Sequence, residues 1–175
     1  MRKIKLIAPE LFVLMSIIIG LLALIFNDGP FEIAFAGPST IQNITYEIEA
    51  INEITVSDDE ITLTIDSATA GSDPNPAWDN LTSYSITTNQ ERRISGQITG
   101  DPMPVNTALS MSLAAPTNAV SPGLLELSNT TAAYLVTSID PVSESTLAIN
   151  YRLTATAEAG VVSGDSEVTL TIASN

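Results

Sequence analysis

Leu147-Ala-Ile149-Asn-Tyr151-Arg-Leu153-Thr-Ala155-Thr-Ala157 sets an apolar side chain at every second position. Only a β-strand turns residues i, i+2 and i+4 to one side, so this stretch predicts a strand with one apolar and one polar face. Val168, Leu170 and Ile172 repeat the pattern with Thr between them, and Gly160 and Gly164 in the intervening segment predict a hairpin joining the two. Working towards the N-terminus, the same period marks Leu109, Met111 and Leu113, then Ile94 to Thr99, Tyr84-Ser-Ile86, and Ile61, Leu63 and Ile65. A short strand is expected over Leu124 to Leu127. Ile54 and Val56 carry the pattern further back, and beyond a break of phase at Ile51-Asn52 it resumes in Ile44, Tyr46, Ile48 and Ala50.

Turn chemistry punctuates these runs. Ser57-Asp58-Asp59, Asn89-Gln90 and Gly100-Asp-Pro102-Met-Pro104 are turn sequences, because Asx side chains bond nearby backbone and Pro presets φ. The stretch from Ser67 to Asn80, with Gly71, Pro74 and Pro76, is the longest loop. Thr130 to Ile139 reads differently. Ala132, Ala133, Leu135 and Val136 follow a Ser/Asn/Thr cluster that fits the cap of a short helical turn. About eight or nine short antiparallel strands at regular spacing predict an all-β, immunoglobulin-like β-sandwich. Trp78, the one Trp of the chain, is expected as the plug of that sandwich, since Trp is usually largely buried.

The N-terminus reads as an export signal. Basic MRKIK, the apolar run Leu11 to Phe26 and a polar segment ending in Ala34-Phe35-Ala36 follow secretory order. Cleavage is expected after Ala36. The organisation is then a signal peptide over 1–36, an N-terminal strand segment over 37–51 and the sandwich domain over 52–175. Retention of the run as a membrane anchor is a competing reading, although Pro9 and Glu10 interrupt its extension backwards. A type IV pilin leader is another, with Lys5 standing where a small residue is required and Pro9 where the helix begins. Localisation is expected to be secreted or cell-surface, with no membrane insertion after cleavage.

Charge and composition remove whole classes of function. The 175 residues carry a formal net charge of −14 and contain no His and no Cys. Beyond residue 36 the cations are Arg92, Arg93 and Arg152, so an acidic surface repels nucleic acid. Without His there is neither a Ser–His–Asp triad nor the usual general base. No phosphate-cradling loop or nucleophile elbow is present. A glycosidase needs two carboxylates in an aromatic-lined cleft, and aromatics are few. The chain is therefore expected not to be an enzyme, with no catalytic residues, no cofactor and no metal. Calcium is the one ion the sequence suggests, at Asp58-Asp59-Glu60 or at Asp73, Asn75 and Asp79; no EF-hand spacing is present and ordinary turn formation accounts for both groups. Arg92 and Arg93 are expected to be solvated or to pair with acidic neighbours.

Four segments carry a resemblance. Asn43-Ile-Thr-Tyr-Glu-Ile-Glu-Ala50, Thr87-Thr-Asn-Gln-Glu-Arg-Arg-Ile94, Leu127-Ser-Asn-Thr-Thr-Ala-Ala-Tyr-Leu135 and Gly160 to Ile172 resemble, in order, segments of colonisation-factor-type fimbrial subunits and spore coat U-like secreted proteins of the chaperone–usher class. The first resembles a donor strand, the last the closing strand of the domain. The resemblance implies a structural subunit of a surface appendage or coat that assembles by β-strand exchange, with Ile44, Tyr46, Ile48 and Ala50 as the donor face. Its partners are then further copies of itself or other surface subunits. Independently, edge strands are normally guarded by Lys, Pro or inward charge, and beyond residue 36 there is no Lys. The alternative is a monomeric exported binding or adhesion module that uses the loop between Ser67 and Asn80.

Overall fold

The computed structural model describes Gly37 and residues 39–175; the signal segment and the cleavage position expected within 1–36 lie outside the described residues. The chain divides between Tyr46 and Glu47 into two units. The second, Glu47–Asn175, carries the described strands: β1 Asn52–Val56, β2 Ala77–Asp79, β3 Ser83–Thr88, β4 Arg92–Ile98, β5 Thr107–Leu113, β6 Leu125–Glu126, β7 Ala133–Ile139, β8 Val142–Ala155 and β9 Val168–Ala173. A single 3-10 turn, Ala157–Ala159, is the helical element among them.

The strands form two antiparallel sheets around one core, a β-sandwich-like arrangement. One sheet has the order β1-β3-β8-β5-β6, and the other β7-β4-β9. β8 is the spine of the first. Its first half pairs with β3, its second half with β5, and β2 follows β3 along the same edge. Between Leu147 and Glu144 the register slips by one residue against Tyr84 and Ile86, and Thr146 takes up the slack at φ 61°. Such a bulge lets one long strand bend and serve two sets of partners. Asp140-Pro141 carries the chain from β7 in one sheet to β8 in the other. Pro141 lacks the N–H to continue a ladder, which suits this crossing.

The period-two pattern explains the core. Ile149 and Tyr151 on β8, Met111 and Leu113 on β5, and Tyr84 and Ile86 on β3 are buried and face Ile94 and Ile98 of β4 and Leu135, Val136 and Ile139 of β7. Each fully buried side chain of this size contributes about 1.5–3 kcal/mol. Tyr84 buries its ring without orphaning its hydroxyl, which donates to the Ala114 carbonyl at 2.6 Å.

Four expectations fail here, each for a physical reason. The segment expected as a helical turn is strand β7, because Leu135, Val136 and Ile139 complete the core from the second sheet. β8 and β9 do not form a hairpin. Gly160, at φ 67°, turns the chain across to the other sheet, where β9 pairs with β4. Ile61, Leu63 and Ile65 lie in no strand, although Leu63 still packs against the core. Trp78 is no plug: it is 56% exposed, because it sits on the outward side of β2.

Candidate assembly surface

The residues expected as a donor face lie outside every strand among the described residues. Residues 39–51 belong to no strand, and Ile44, Tyr46 and Ile48 are 76%, 86% and 78% exposed. Ala50 is exposed as well. Three large apolar side chains on one alternating run are costly to leave in water, since burial would return about 1.5–3 kcal/mol for each.

The C-terminal end of this run is tethered. Asn89, in the turn between β3 and β4, donates from Nδ2 to the Glu49 carbonyl at 2.7 Å and accepts the Ile51 N–H on Oδ1 at 2.9 Å. The Asn89 backbone N–H donates to the Ile51 carbonyl at 3.2 Å. One asparagine thus stands in for a strand's backbone. The next residue, Asn52, accepts on Oδ1 from Arg92 Nε at 2.7 Å and from the Thr88 hydroxyl at 2.9 Å. Arg92 also donates to Gln90. These polar groups hold the chain at Glu49–Asn52, so the phase break at Ile51-Asn52 is a fixed point. Arg93 stacks on Tyr134 instead of pairing with acid, its guanidinium carbon 4.4 Å from the ring centroid.

Edge geometry supplies the complementary half. Among the described residues β9 pairs with β4 alone, and its six residues carry neither charge nor Pro. The other edges are short or guarded, β2 being three residues long with Asp79 at its end. β6 is two residues long, and β7 is met on its outer side by a two-bond bridge between Val120 and Thr137. β1 carries Glu53. Along β9 the inward residues Val168, Leu170 and Ile172 are only half-buried, whereas Ile94 and Ile98 beside them on β4 are fully buried. β9 therefore offers a row of backbone donors and acceptors above an apolar strip that is incompletely covered, the kind of edge that pairs with another chain.

The side chains of the loop considered for calcium make separate hydrogen bonds within the protein. Asp73 Oδ1 accepts the Ala157 N–H at 3.0 Å, Asn75 donates to the Ser67 hydroxyl, and Asp79 Oδ2 accepts the Thr82 hydroxyl at 2.6 Å. Two tyrosines and one glutamate are perturbed. Burial pushes the Tyr84 hydroxyl well above its ordinary value, with Glu144 adding to the effect. Burial, then Asp79, raises Tyr151. Hydrogen bonds from the Thr117 side chain and backbone lower Glu144.

Sequence reading singled out the run from Ile44 to Ala50, which is exposed and in no strand, and did not single out the Asn89 contacts or the β9 edge. Asn89 was legible only as a turn former. Which strand ends a sheet depends on pairing order, and no local signal carries that. Compared with known proteins, the chain matches no family model, no curated protein and no solved structure.

Proposed function

We infer that this chain is an exported, non-catalytic structural subunit of a surface appendage or coat, an immunoglobulin-like sandwich that joins its neighbours by β-strand exchange. The observation that carries this reading is the pairing of two unfinished features: an exposed, strand-patterned run at residues 41–48 and the unguarded, half-covered edge of β9. In the assembled state residues 41–48 of one copy lie along β9 of the next. Backbone bonds then satisfy the edge, and Ile44, Tyr46 and Ile48 cover the strip formed by Val168, Leu170 and Ile172. The export signal expected over 1–36 delivers the subunit to the surface, and the acidic surface keeps it dispersed until it pairs.

Size-exclusion chromatography with light scattering on the secreted protein tests this, with negatively stained micrographs of the same fractions. A ladder of oligomers or filaments is expected, and it should collapse to monomer when residues 37–48 are deleted. A full-length mature chain that stays monomeric at high concentration overturns the reading. The alternative, a monomeric exported binding module, is favoured by a separate observation, the exposure of Trp78.

A further inference from the structure

A second feature lies on the outward face of the first sheet. Trp78 on β2 stands opposite Arg152 on β8, which stands opposite Ser110 on β5. The Arg152 guanidinium carbon lies 5.6 Å from the Trp78 ring centroid. Its Nε has no hydrogen-bond partner among the described residues. At that distance the ring attracts the guanidinium through its π face. The arrangement backs one part of the indole with protein and leaves more than half of the residue in water.

Side chains two residues along a strand share a face, so this row continues into Pro76, Thr154 and Ala108. These three residues help line an open surface depression of about 450 Å³, together with Asp73, Pro74, Asn106 and Thr156. The walls are braced. Asp73 is fixed by the Ala157 N–H at 3.0 Å, and Asn106 sits at φ 66° with its carbonyl accepting the Thr156 N–H at 3.0 Å. The loop behind Asp73 is closed by the bridge between Ala68 and Pro74. A carboxylate, an amide and hydroxyl groups thus surround an apolar floor of Pro and Ala, beside an exposed indole.

We propose that this depression and Trp78 form a binding site for a neutral pyranose sugar, such as the terminal residue of a surface glycan. A pyranose has one face of C–H groups, which packs on an indole, and a rim of hydroxyls. Asp73 accepts from two neighbouring hydroxyls, and the Asn106 amide both donates and accepts. The depression is open enough to take one ring at its rim while the rest of a glycan stays in solvent. A neutral sugar is preferred to an acidic one, because Asp73 lines the depression and the Arg152 charge is held against the Trp78 ring. β9 belongs to the other sheet, so binding through this face leaves that edge free.

The single Trp makes the test direct, since fluorescence excited at 295 nm, where neutral tyrosine hardly absorbs, reports on Trp78. The mature protein is titrated with methyl β-D-glucoside, methyl β-D-galactoside and methyl α-D-mannoside, and with methyl β-D-glucuronide as the acidic comparison. At least one neutral glycoside should give a saturable change, with a dissociation constant on the order of 1 mM. Asp73→Asn should weaken it at least tenfold. Trp78→Ala, read by saturation-transfer NMR, should abolish it, and the melting temperature of each variant establishes folding. Tyr134, exposed on the other sheet, is the control: Tyr134→Ser should leave the affinity unchanged. No saturable response to any neutral glycoside up to 100-fold above that concentration overturns the proposal. So does tighter, salt-sensitive binding of the glucuronide, or binding that survives Trp78→Ala.

Discussion

Asn89 holds Ile51 from both sides: its Oδ1 accepts the Ile51 N–H at 2.9 Å, and its own N–H donates to the Ile51 carbonyl at 3.2 Å. The side chain also reaches back to the Glu49 carbonyl. The fixed end of the N-terminal run is therefore an asparagine clamp, placed just ahead of β1.

Asn89→Ala removes two of these bonds and leaves the backbone one. Each exchanged hydrogen bond is worth about 0.5–1.5 kcal/mol net, and exposed ones fall at the lower end. Global stability should drop by about 1 kcal/mol. Hydrogen exchange should show the Ile51 amide losing most of its protection while the amides of β5 and β8 keep theirs. Equal loss at all three places would mean that the clamp is part of the global core.

Gly96 and Leu135 set a second limit. A Cβ on Gly96 would stand 2.6 Å from Leu135 Cδ1, with Leu170 and Leu127 methyls at 3.4 and 3.5 Å. Leu135 is fully buried, so it has little room to swing aside. Gly96→Ala should destabilise by about 1–3 kcal/mol, the usual cost of overpacking. Because the clash is with one side chain, Leu135→Val in the same chain should cost less than the two changes sum to, and a denaturant double-mutant cycle measures that coupling.

Much of this architecture is legible in the order of residues. Period-two alternation located β3, β4, β5, β8 and β9, because the inner face of a sheet has to be apolar whatever its neighbours are. What alternation cannot carry is which strands meet. Gly160 and Gly164 would serve a hairpin as well as the crossing that is found. Ile44 to Ala50 and Ile61 to Ile65 have strand patterns, yet among the described residues neither lies in a strand, since a pattern by itself supplies no backbone partner. Thr130 to Ile139 has helical spacing, yet packing against β4 decides its conformation. Trp78 departs from its usual burial because β2 turns its even positions outward, and no composition rule foretells that.

Ionisation of Tyr84 and Tyr151 gives the pH response a definite sign. Both hydroxyls are raised above the ordinary value of 10.0 by burial. The folded state then holds protons that the unfolded state releases, so their contribution is fully present below pH 10 and is lost as pH rises past it. Absorbance at 295 nm should show these two ionising together with loss of near-ultraviolet circular dichroism. Tyr84→Phe should lose the bond to the Ala114 carbonyl at neutral pH and be less sensitive to alkali. Glu144 works in the opposite direction: its lowered value favours the folded state above the ordinary carboxylate range, and that contribution fades as acid protonates it.

Charge placement on β9 tests the assembly geometry. If residues 41–48 of a neighbour lie along β9 with Ile44, Tyr46 and Ile48 facing the core, then Thr45 and Glu47 face outward, in line with Thr169 and Thr171. Thr171 is exposed on the outer side of β9, so changing it should leave the isolated fold within about 0.5 kcal/mol. Thr171→Glu sets a like charge against Glu47 and should weaken assembly; Thr171→Lys sets an opposite one and should strengthen it, with both effects shrinking in high salt. Ile48→Asp on the donor run should block assembly outright, because burying an unpaired carboxylate in an apolar strip is costly. Sedimentation velocity on the three variants reads the order directly. Equal behaviour of the Glu and Lys variants would place the neighbour's strand on some edge other than β9, and assembly that survives Ile48→Asp would remove the donor run from the interface altogether.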